Sequence, residues 1–183
     1  MKTSEADILI VPGLGGSGPD HWQTRWENKF STARRVAQPD WDRPILADWI
    51  SNIAAAVSEA RRPVLLIGHS LGVHAVAHAA AALEGGKVRG AFLVAPPAAH
   101  VLEGIEQVDR AFLPVPAGPL PFPSVLVASR NDPFGEYAQS EDLAYAWGSA
   151  IVDAGEAGHI NADSGHGPWP EGLMRLGGFL AKI

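Results

Sequence analysis

The stretch Leu65-Leu66-Ile67-Gly68-His69-Ser70-Leu71-Gly72 decides the fold. It begins with an apolar run typical of a buried strand, which ends in Gly-x-Ser-x-Gly, and an alanine-rich stretch typical of a helix follows at once. So sharp a turn strains the backbone of the serine, and the residues beside it must be small; Gly68 and Gly72 meet that need. The pattern alone is not specific, but its context predicts a nucleophile elbow that carries Ser70.

Patterns typical of strands and helices alternate along the rest of the chain. The predicted strands are residues 7–12, 35–37, 64–67, 88–95, 125–129 and 150–152, and the predicted helices are residues 21–32, 44–60, 71–83, 137–147 and 170–181. This alternation predicts a mainly parallel sheet of about six strands with helices on both faces. Because no linker or internal repeat divides the sequence, we predict a single α/β domain over residues 1–183.

Composition and charge argue against several classes of protein. The 183 residues carry a formal net charge of −6 and form no basic stripe, so no nucleic-acid partner is expected. The absence of cysteine excludes disulfides and thiolate chemistry. The apolar run at residues 8–11 is too short for a signal peptide, and no stretch is long enough to span a bilayer. We therefore expect a cytoplasmic protein, a monomer or a small homo-oligomer, with no membrane association.

Three predicted strands end in the groups that an acyl-transfer site needs. Ser70 follows the third strand, Asp132 the fifth and His159 the sixth. Parallel sheets place their chemistry at the carboxyl ends of the strands. A serine hydroxyl needs an imidazole to take its proton, and that imidazole needs a carboxylate to orient it. The order Ser…Asp…His is that of α/β-hydrolases, so these residues are predicted to form a catalytic triad that works without a cofactor.

An oxyanion hole and a substrate pocket should lie beside this triad. The backbone N–H of Leu71 is predicted to be one oxyanion donor, and the loop after the first strand should supply the second from Leu14 or Gly15. We expect Trp22, just after that loop, and His69, just before the nucleophile, to line the pocket for a small-molecule acyl substrate.

The segment from residue 96 to residue 123 is too long for a plain connection. It contains seven prolines and few periodic signals. We expect it to fold over the sheet edge or the mouth of the site as a small lid that shapes the substrate pocket.

The roles predicted for Asp132 and His159 each have an alternative in the sequence. A metal site is not expected. Asp132 precedes a proline and is also a good turn residue. His166 competes with His159 as the base, but His159 lies nearer the strand end. His74 and His78 are four residues apart on a predicted helix, yet the glutamate position of a zinc His-Glu-x-x-His motif is Ala75.

Two alternatives from other functional classes remain open. The loop Gly13-Leu14-Gly15-Gly16-Ser17-Gly18 matches the dinucleotide-binding pattern, and Asp40 lies near the distance expected for a ribose contact. Against this alternative, Gly18 is followed by a helix start, whereas the third glycine of that motif lies inside the first helical turn. A non-catalytic interaction protein on a hydrolase scaffold is the other alternative, because fold does not fix function.

The sequence resembles the small serine hydrolases related to retinoblastoma-binding protein 9, within the α/β-hydrolase superfamily. The resemblance covers nearly the whole chain, and residues 164–169 look like the bacterial branch. It implies a compact sheet without a large cap domain, a triad of Ser70, Asp132 and His159, and esterase-type activity on small acyl substrates. The retinoblastoma-binding segment of the animal members has no counterpart here. The matching stretches are Val11-Pro12-Gly13, Gln38-Pro39-Asp40-Trp41, Gly68-His69-Ser70-Leu71-Gly72, Asn131-Asp132-Pro133-Phe134 and Gly158-His159-Ile160-Asn161.

Overall fold

A computed structural model describes residues 1–83 and 85–183 of the chain. These residues form one parallel sheet of six strands in the order β2-β1-β3-β4-β5-β6, which confirms the predicted fold class. The strands are β1 (Asp7–Val11), β2 (Ala33–Arg35), β3 (Val64–His69), β4 (Val88–Val94), β5 (Ser124–Ala128) and β6 (Ala150–Asp153). The α-helices are α1 (Trp22–Lys29), α2 (Leu46–Glu59), α3 (Leu71–Ala79), α4 (Ala99–Glu103), α5 (Tyr137–Trp147) and α6 (Pro170–Leu180).

The sheet separates two apolar cores because successive side chains of a strand point to opposite faces. On one face, Leu66 of β3 packs in a cluster with residues of α2, α3 and α5. On the other face, Leu65 and Ile67 of the same strand pack with residues of α1 and α6. Burial on both faces explains why β3 is a continuous apolar run rather than an alternating pattern.

Several predicted boundaries were wrong by a few residues. The second strand is Ala33–Arg35 rather than residues 35–37. It lies at the edge of the sheet and pairs with β1, and this pairing begins at Ala33 and ends at Arg35. The elbow helix ends at Ala79 and continues as a 3₁₀ turn to Ala82. Helix α1 is shorter than predicted and is capped by His21, whereas Asp20 pairs with Arg25.

The position of the site follows from the strand order. After β1 the chain moves outward to β2 and then returns to β3 on the other side of β1. The carboxyl ends of β1 and β3 therefore form the switch point at which open α/β sheets bind their ligands. In the described part of the chain no helix has both the length and the apolar character needed to cross a membrane.

Candidate active site

The elbow at the end of β3 is fixed by close backbone packing. Ser70 has φ 54° and ψ −128°, a conformation that L-residues rarely adopt. A Cβ on Gly72 would collide with the backbone carbonyl oxygens of Val11 and Pro12. A Cβ on Gly68 would lie 3.3 Å from the backbone of Val73. Glycine at these two positions, and above all at Gly72, lets α3 pack closely against β1 and β3. This packing presents the serine side chain at the sheet edge.

A continuous hydrogen-bonded chain joins the three predicted residues. The Ser70 hydroxyl lies 2.9 Å from His159 Nε2, and His159 Nδ1 lies 3.0 and 2.9 Å from the two carboxylate oxygens of Asp132. With the proton on Nδ1, that N–H donates to the carboxylate while Nε2 accepts from the serine. The side chains of His159 and Asp132 are only 9% and 4% exposed. The structure thus brings together an alcohol, an imidazole and a carboxylate in the order that general-base activation requires.

The loop that carries His159 is held by side chains from the end of β5. Asn131 Oδ1 accepts from the N–H of Gly158 at 2.7 Å and from the hydroxyl of Ser129 at 2.9 Å. The Ser129 oxygen in turn accepts from the N–H of Ala157 at 2.9 Å. These bonds fix the two residues immediately before His159 and so set where the imidazole lies.

The orienting carboxylate is held locally. Asp132 Oδ1 accepts from the N–H of Phe134 at 2.9 Å, and the Phe134 ring lies 4.6 Å from the His159 ring. This is the side-chain-to-backbone bond expected of a turn residue. The turn assignment and the predicted functional role of Asp132 are therefore compatible, because the same carboxylate contacts both Phe134 and His159.

Two backbone amides beside the serine have no protein partner among the described hydrogen bonds, namely those of Leu71 and Leu14. Leu71 is the first residue of α3, where a helix leaves its N–H groups unpaired. The predicted alternative, Gly15, was wrong because its N–H donates to the carbonyl of Trp41 at 2.8 Å. Gly13 packs against the nucleophile, since a Cβ there would lie 2.8 Å from Cβ of Ser70.

Two pockets of different chemical character open beside Ser70. One has a volume of about 210 Å³ and an apolar wall. The other has a volume of about 240 Å³ and a polar wall. Both are also lined by Leu14, His159 and Asn161. The apolar wall consists of Leu71, Pro97, Val101, Leu102, Ile105, Val108 and Phe134, and the polar wall contains Gly16, Ser17, Gly18, His21, His69 and Asp163.

The segment from residue 96 to residue 123 supplies most of the apolar wall. It folds as α4 and a 3₁₀ turn at Arg110–Phe112, joined by loops. Val101 and Leu102 project from α4, and Ile105 and Val108 follow it. The segment therefore lines a pocket beside Ser70, and its role in shaping the substrate pocket stays a prediction.

Of the two predicted pocket residues, His69 lines a pocket and Trp22 does not. His69 lies in the polar wall and donates from Nε2 to the carbonyl of His159 at 2.9 Å. Trp22 is completely buried, and its indole N–H donates to the carbonyl of Ile160 at 2.8 Å. The prediction for Trp22 was wrong because α1 turns this side chain away from the glycine loop and against Trp169.

The remaining histidines singled out in the sequence have backbone or loop partners. His166 Nδ1 lies 3.1 Å from the Ser164 hydroxyl, within its own loop. His74 and His78 approach the carbonyls of Pro97 and Phe112 at 2.7 and 3.0 Å. Among residues 1–83 and 85–183, no three His, Cys, Asp or Glu side chains are grouped so that they could hold a metal ion.

Burial keeps the two histidines of the polar wall neutral. It lowers the pKa of His21 to about 4, and the nearby positive charge of Arg35 adds to this effect. Burial likewise holds the pKa of His69 well below its usual value. Their rings lie 4.7 Å apart, and the His69 ring lies 4.9 Å from that of His159. Neither ring therefore brings a positive charge to the site at neutral pH.

Sequence reasoning missed three residues that shape the site. His21 caps α1 by accepting from the N–H of Gln23 at 3.1 Å. The fully buried Gln23 side chain donates to the carbonyls of Val11 and Ile67, which ties α1 to β1 and β3. Asn131 holds the base loop, and its place beside Asp132 was the one local signal available. The bonds of the Gln23 side chain join distant segments, which no local pattern reveals.

The glycine loop does not have the arrangement of a dinucleotide site. Helix α1 begins at Trp22, four residues after Gly18, and its first turn is capped by His21. In the dinucleotide motif the third glycine lies within the helix and the first helical amides face the pyrophosphate. Here the loop instead lies beside Ser70 and lines the polar pocket.

Comparison with known proteins agrees with this geometry. A family model described as serine hydrolase matches residues 8–178. A protein described as a YdeN-like hydrolase from Pectobacterium atrosepticum is 38% identical, with a TM-score of 0.85 over 97% of this chain and 91% of that chain. A comparison with curated proteins gave no match.

Two more distant structures support the fold alone. The ydeN gene product of B. subtilis is 20% identical, with a TM-score of 0.76 over 96% of this chain and 99% of that chain. Thermogutta terrifontis esterase 2, solved after phosphonylation by cyclosarin, is 17% identical, with a TM-score of 0.68 over 100% and 85% of the two chains. The family match and the 38% identical structure lead to one conclusion: this chain belongs to the serine hydrolase family and is a small serine hydrolase of the α/β fold.

Proposed function

We propose that the protein is a carboxylesterase that hydrolyses esters of small acyl groups through an acyl-enzyme. The observation that carries the proposal is the chain from the Ser70 hydroxyl through His159 to Asp132, with contacts of 2.9–3.0 Å, beside an apolar pocket. Membership of the serine hydrolase family supports the same chemistry.

In the acylation step the Ser70 oxygen bonds to the ester carbonyl carbon while His159 Nε2 takes the hydroxyl proton. The tetrahedral intermediate then collapses, the carbon–alkoxide bond breaks, and the proton on Nε2 passes to the leaving alcohol. In deacylation, water gives its proton to Nε2 and attacks the acyl carbon, and the bond to Ser70 breaks as the serine regains a proton. Asp132 keeps the imidazole oriented and stabilises the imidazolium in both steps.

The negative charge that develops on the carbonyl oxygen needs donors that are already in position. We assign the N–H groups of Leu71 and Leu14 to this role, because both lie beside the serine and neither has another partner among the described hydrogen bonds. Gly15 is not assigned, since its N–H is bonded to Trp41. Donors fixed before the reaction stabilise the oxyanion without reorganisation.

The test combines covalent labelling with turnover. A fluorophosphonate probe should label the wild-type protein at Ser70, as esterase 2 of the same fold is phosphonylated by cyclosarin. Hydrolysis of p-nitrophenyl acetate by Ser70→Ala should fall by about three orders of magnitude or more. The matched control is His166→Ala, which removes an imidazole that bonds within its own loop and should keep wild-type turnover.

Two outcomes would reject or narrow the proposal. Wild-type turnover by Ser70→Ala would reject the mechanism. Faster turnover of a matched amide or thioester than of the ester would replace carboxylesterase with amidase or thioesterase, because these reactions use the same machinery. A panel of p-nitrophenyl esters of increasing chain length then defines the acyl group.

A further inference from the structure

The polar pocket on the second side of Ser70 is not explained by an acyl group. Its wall contains the imidazoles of His21 and His69 and the carboxylate of Asp163, and it has a volume of about 240 Å³. A hydrophobic group in this pocket would cover polar atoms of its wall without giving them partners, which is unfavourable. The pocket is built to receive a polar group.

His21 offers a hydrogen-bond donor to this pocket. Its Nδ1 accepts from the N–H of Gln23, so in the neutral ring the proton is on Nε2. No described hydrogen bond uses that Nε2–H. The ring itself is only 6% exposed, so the donor is fixed in direction by burial and by its capping role.

His69 offers the complementary acceptor. Its Nε2 lies 2.9 Å from the carbonyl of His159 and must donate to it, so in the neutral ring Nδ1 carries a lone pair. No described hydrogen bond uses Nδ1. A donor on His21 and an acceptor on His69, on rings 4.7 Å apart, match an alcohol hydroxyl, which both accepts and donates.

The charge of the wall excludes an anionic group. No lysine or arginine is among the residues that line this pocket, and the one charged side chain there is Asp163. Besides burial, the positive charge of Arg35 lowers the pKa of His21, but this guanidinium is already paired with Glu27 at 3.2 Å. A phosphate or carboxylate would therefore lack a counter-charge and would face the carboxylate of Asp163.

From this wall we infer that the alcohol side of the substrate is an uncharged polyol of glycerol size, so that the enzyme hydrolyses short aliphatic esters of polyols. The inference rests on the proposed esterase function and adds the class of the leaving group. The apolar pocket holds the acyl chain and the polar pocket holds the hydroxyl groups that do not react.

The experiment compares glycerol 1-butyrate with propyl butyrate, which have the same acyl group and the same three-carbon alcohol and differ by two hydroxyls. The ratio of kcat/KM for the two esters in wild-type protein should favour the glyceryl ester by roughly three- to tenfold, the effect of one hydrogen bond between neutral groups. In His21→Ser that ratio should fall to about 1, because serine keeps the helix cap but removes the imidazole donor. His166→Ala is the matched control and should keep the wild-type ratio.

A second measurement uses the wild-type protein alone and is independent of how the variant folds. During hydrolysis of p-nitrophenyl butyrate, equal concentrations of glycerol and 1-propanol compete with water for the acyl-enzyme. A polyol subsite should give roughly three- to tenfold more glyceryl than propyl butyrate after correction for the two primary hydroxyls of glycerol.

The outcomes separate the inference from the proposed function. A wild-type ratio of 1 or less, an unchanged ratio in His21→Ser, or equal transfer to both alcohols would overturn the polyol subsite and leave the esterase intact. A preference for alkyl esters of hydroxylated acids would also overturn it, because the polar pocket would then hold the acyl side. Wild-type turnover of all substrates by Ser70→Ala would reject the esterase and the inference together.

Discussion

The proposed nucleophile, Ser70, and the proposed base, His159, are held in place by different kinds of contact. Ser70 sits on an elbow where the backbones at Gly72 approach too closely for any side chain and those at Gly68 leave little room for one. The loop that carries His159 is held instead by hydrogen bonds from Ser129 and Asn131, which lie at the end of a different strand. Steric exclusion defines the elbow, whereas a few side-chain bonds define the base loop.

This difference predicts how each region responds to change. A sterically fixed turn has no nearby alternative, so one added methyl group should disrupt the fold itself. A loop held by hydrogen bonds can shift by a fraction of an ångström while the protein stays folded. Substitutions at the elbow should therefore appear in stability, and those at the base loop mainly in activity.

The largest effect is expected from Gly72→Ala. The new Cβ would collide with the backbone carbonyls of Val11 and Pro12, which cannot move without breaking the sheet. We expect a loss of about 3 kcal/mol or more in the free energy of unfolding, or no folded protein at all. Urea denaturation followed by circular dichroism measures it. The control is Gly177→Ala in α6, where an added Cβ meets open space and helix propensity should raise stability by about 0.5–1 kcal/mol. A Gly72→Ala protein as stable as wild type would contradict steric fixation of the elbow.

The second effect is acid destabilisation by histidines buried around the elbow. Burial lowers the pKa of His21 and of His74 to about 4 and holds that of His69 well below its usual value. Unfolded histidine titrates near 6.5, so below that pH the unfolded chain binds more protons than the folded one, and stability falls as pH drops from about 6.5 towards 4. His21 and His74 each account for roughly 3 kcal/mol over this window.

Urea titrations at pH 5, 6 and 7 measure this dependence. His74→Gln keeps a donor for the carbonyl of Pro97 but does not titrate, so the pH slope of its unfolding free energy should decrease by about one proton. The matched control is the same substitution at an exposed position of α4, His100→Gln. A stability that is flat between pH 7 and pH 5 would contradict the buried neutral state of these rings.

The third effect tests the base loop. Asn131→Ala removes the acceptor for the N–H of Gly158 and for the Ser129 hydroxyl, which releases the residues before His159. We expect kcat on p-nitrophenyl acetate to fall roughly 10- to 100-fold with KM little changed, because the imidazole is misplaced while the pockets remain. The unfolding free energy should fall by only about 1–3 kcal/mol. The control is Asn52→Ala on α2, which removes a hydrogen bond to Gln38 and should keep wild-type kcat. If both variants lose activity equally, Asn131 does not position the base.

The same contrast explains what the sequence could reveal. The elbow, the alternation of strands and helices, and the helix at Tyr137–Trp147 are encoded by neighbouring residues, and the pattern predicted them. Chain order alone was enough to predict that Asp132 and His159 would approach Ser70, because parallel strands end at one edge. The roles assigned to these three residues stay predictions until the variants are measured.

The site predictions that were wrong depended on long-range contacts. Trp22 follows the glycine loop in the chain, but packing against Trp169 turns it into the core. Gly15 has a suitable place in the loop, but its N–H is taken by Trp41 from a distant segment. The sequence did not predict that His21 and His69 would lie together in one polar wall, because the two residues are far apart in the chain.

The smallest effect concerns neither the elbow nor the base loop but the segment that forms the apolar wall. Ile105 follows α4 in the chain and lines the apolar pocket. The substitution Ile105→Ala should therefore leave room for a longer acyl chain. Each additional buried methylene contributes about 0.8 kcal/mol, which is roughly fourfold in kcat/KM. The ratio of kcat/KM for p-nitrophenyl octanoate to that for the butyrate should therefore rise several-fold in this variant. Leu143→Ala on α5, outside this pocket, should keep the wild-type ratio. The elbow and the base loop are untouched in both variants. A shift of the ratio only in Ile105→Ala would therefore assign chain-length selection to the segment of residues 96–123. An unchanged ratio would mean that the acyl chain occupies the other pocket.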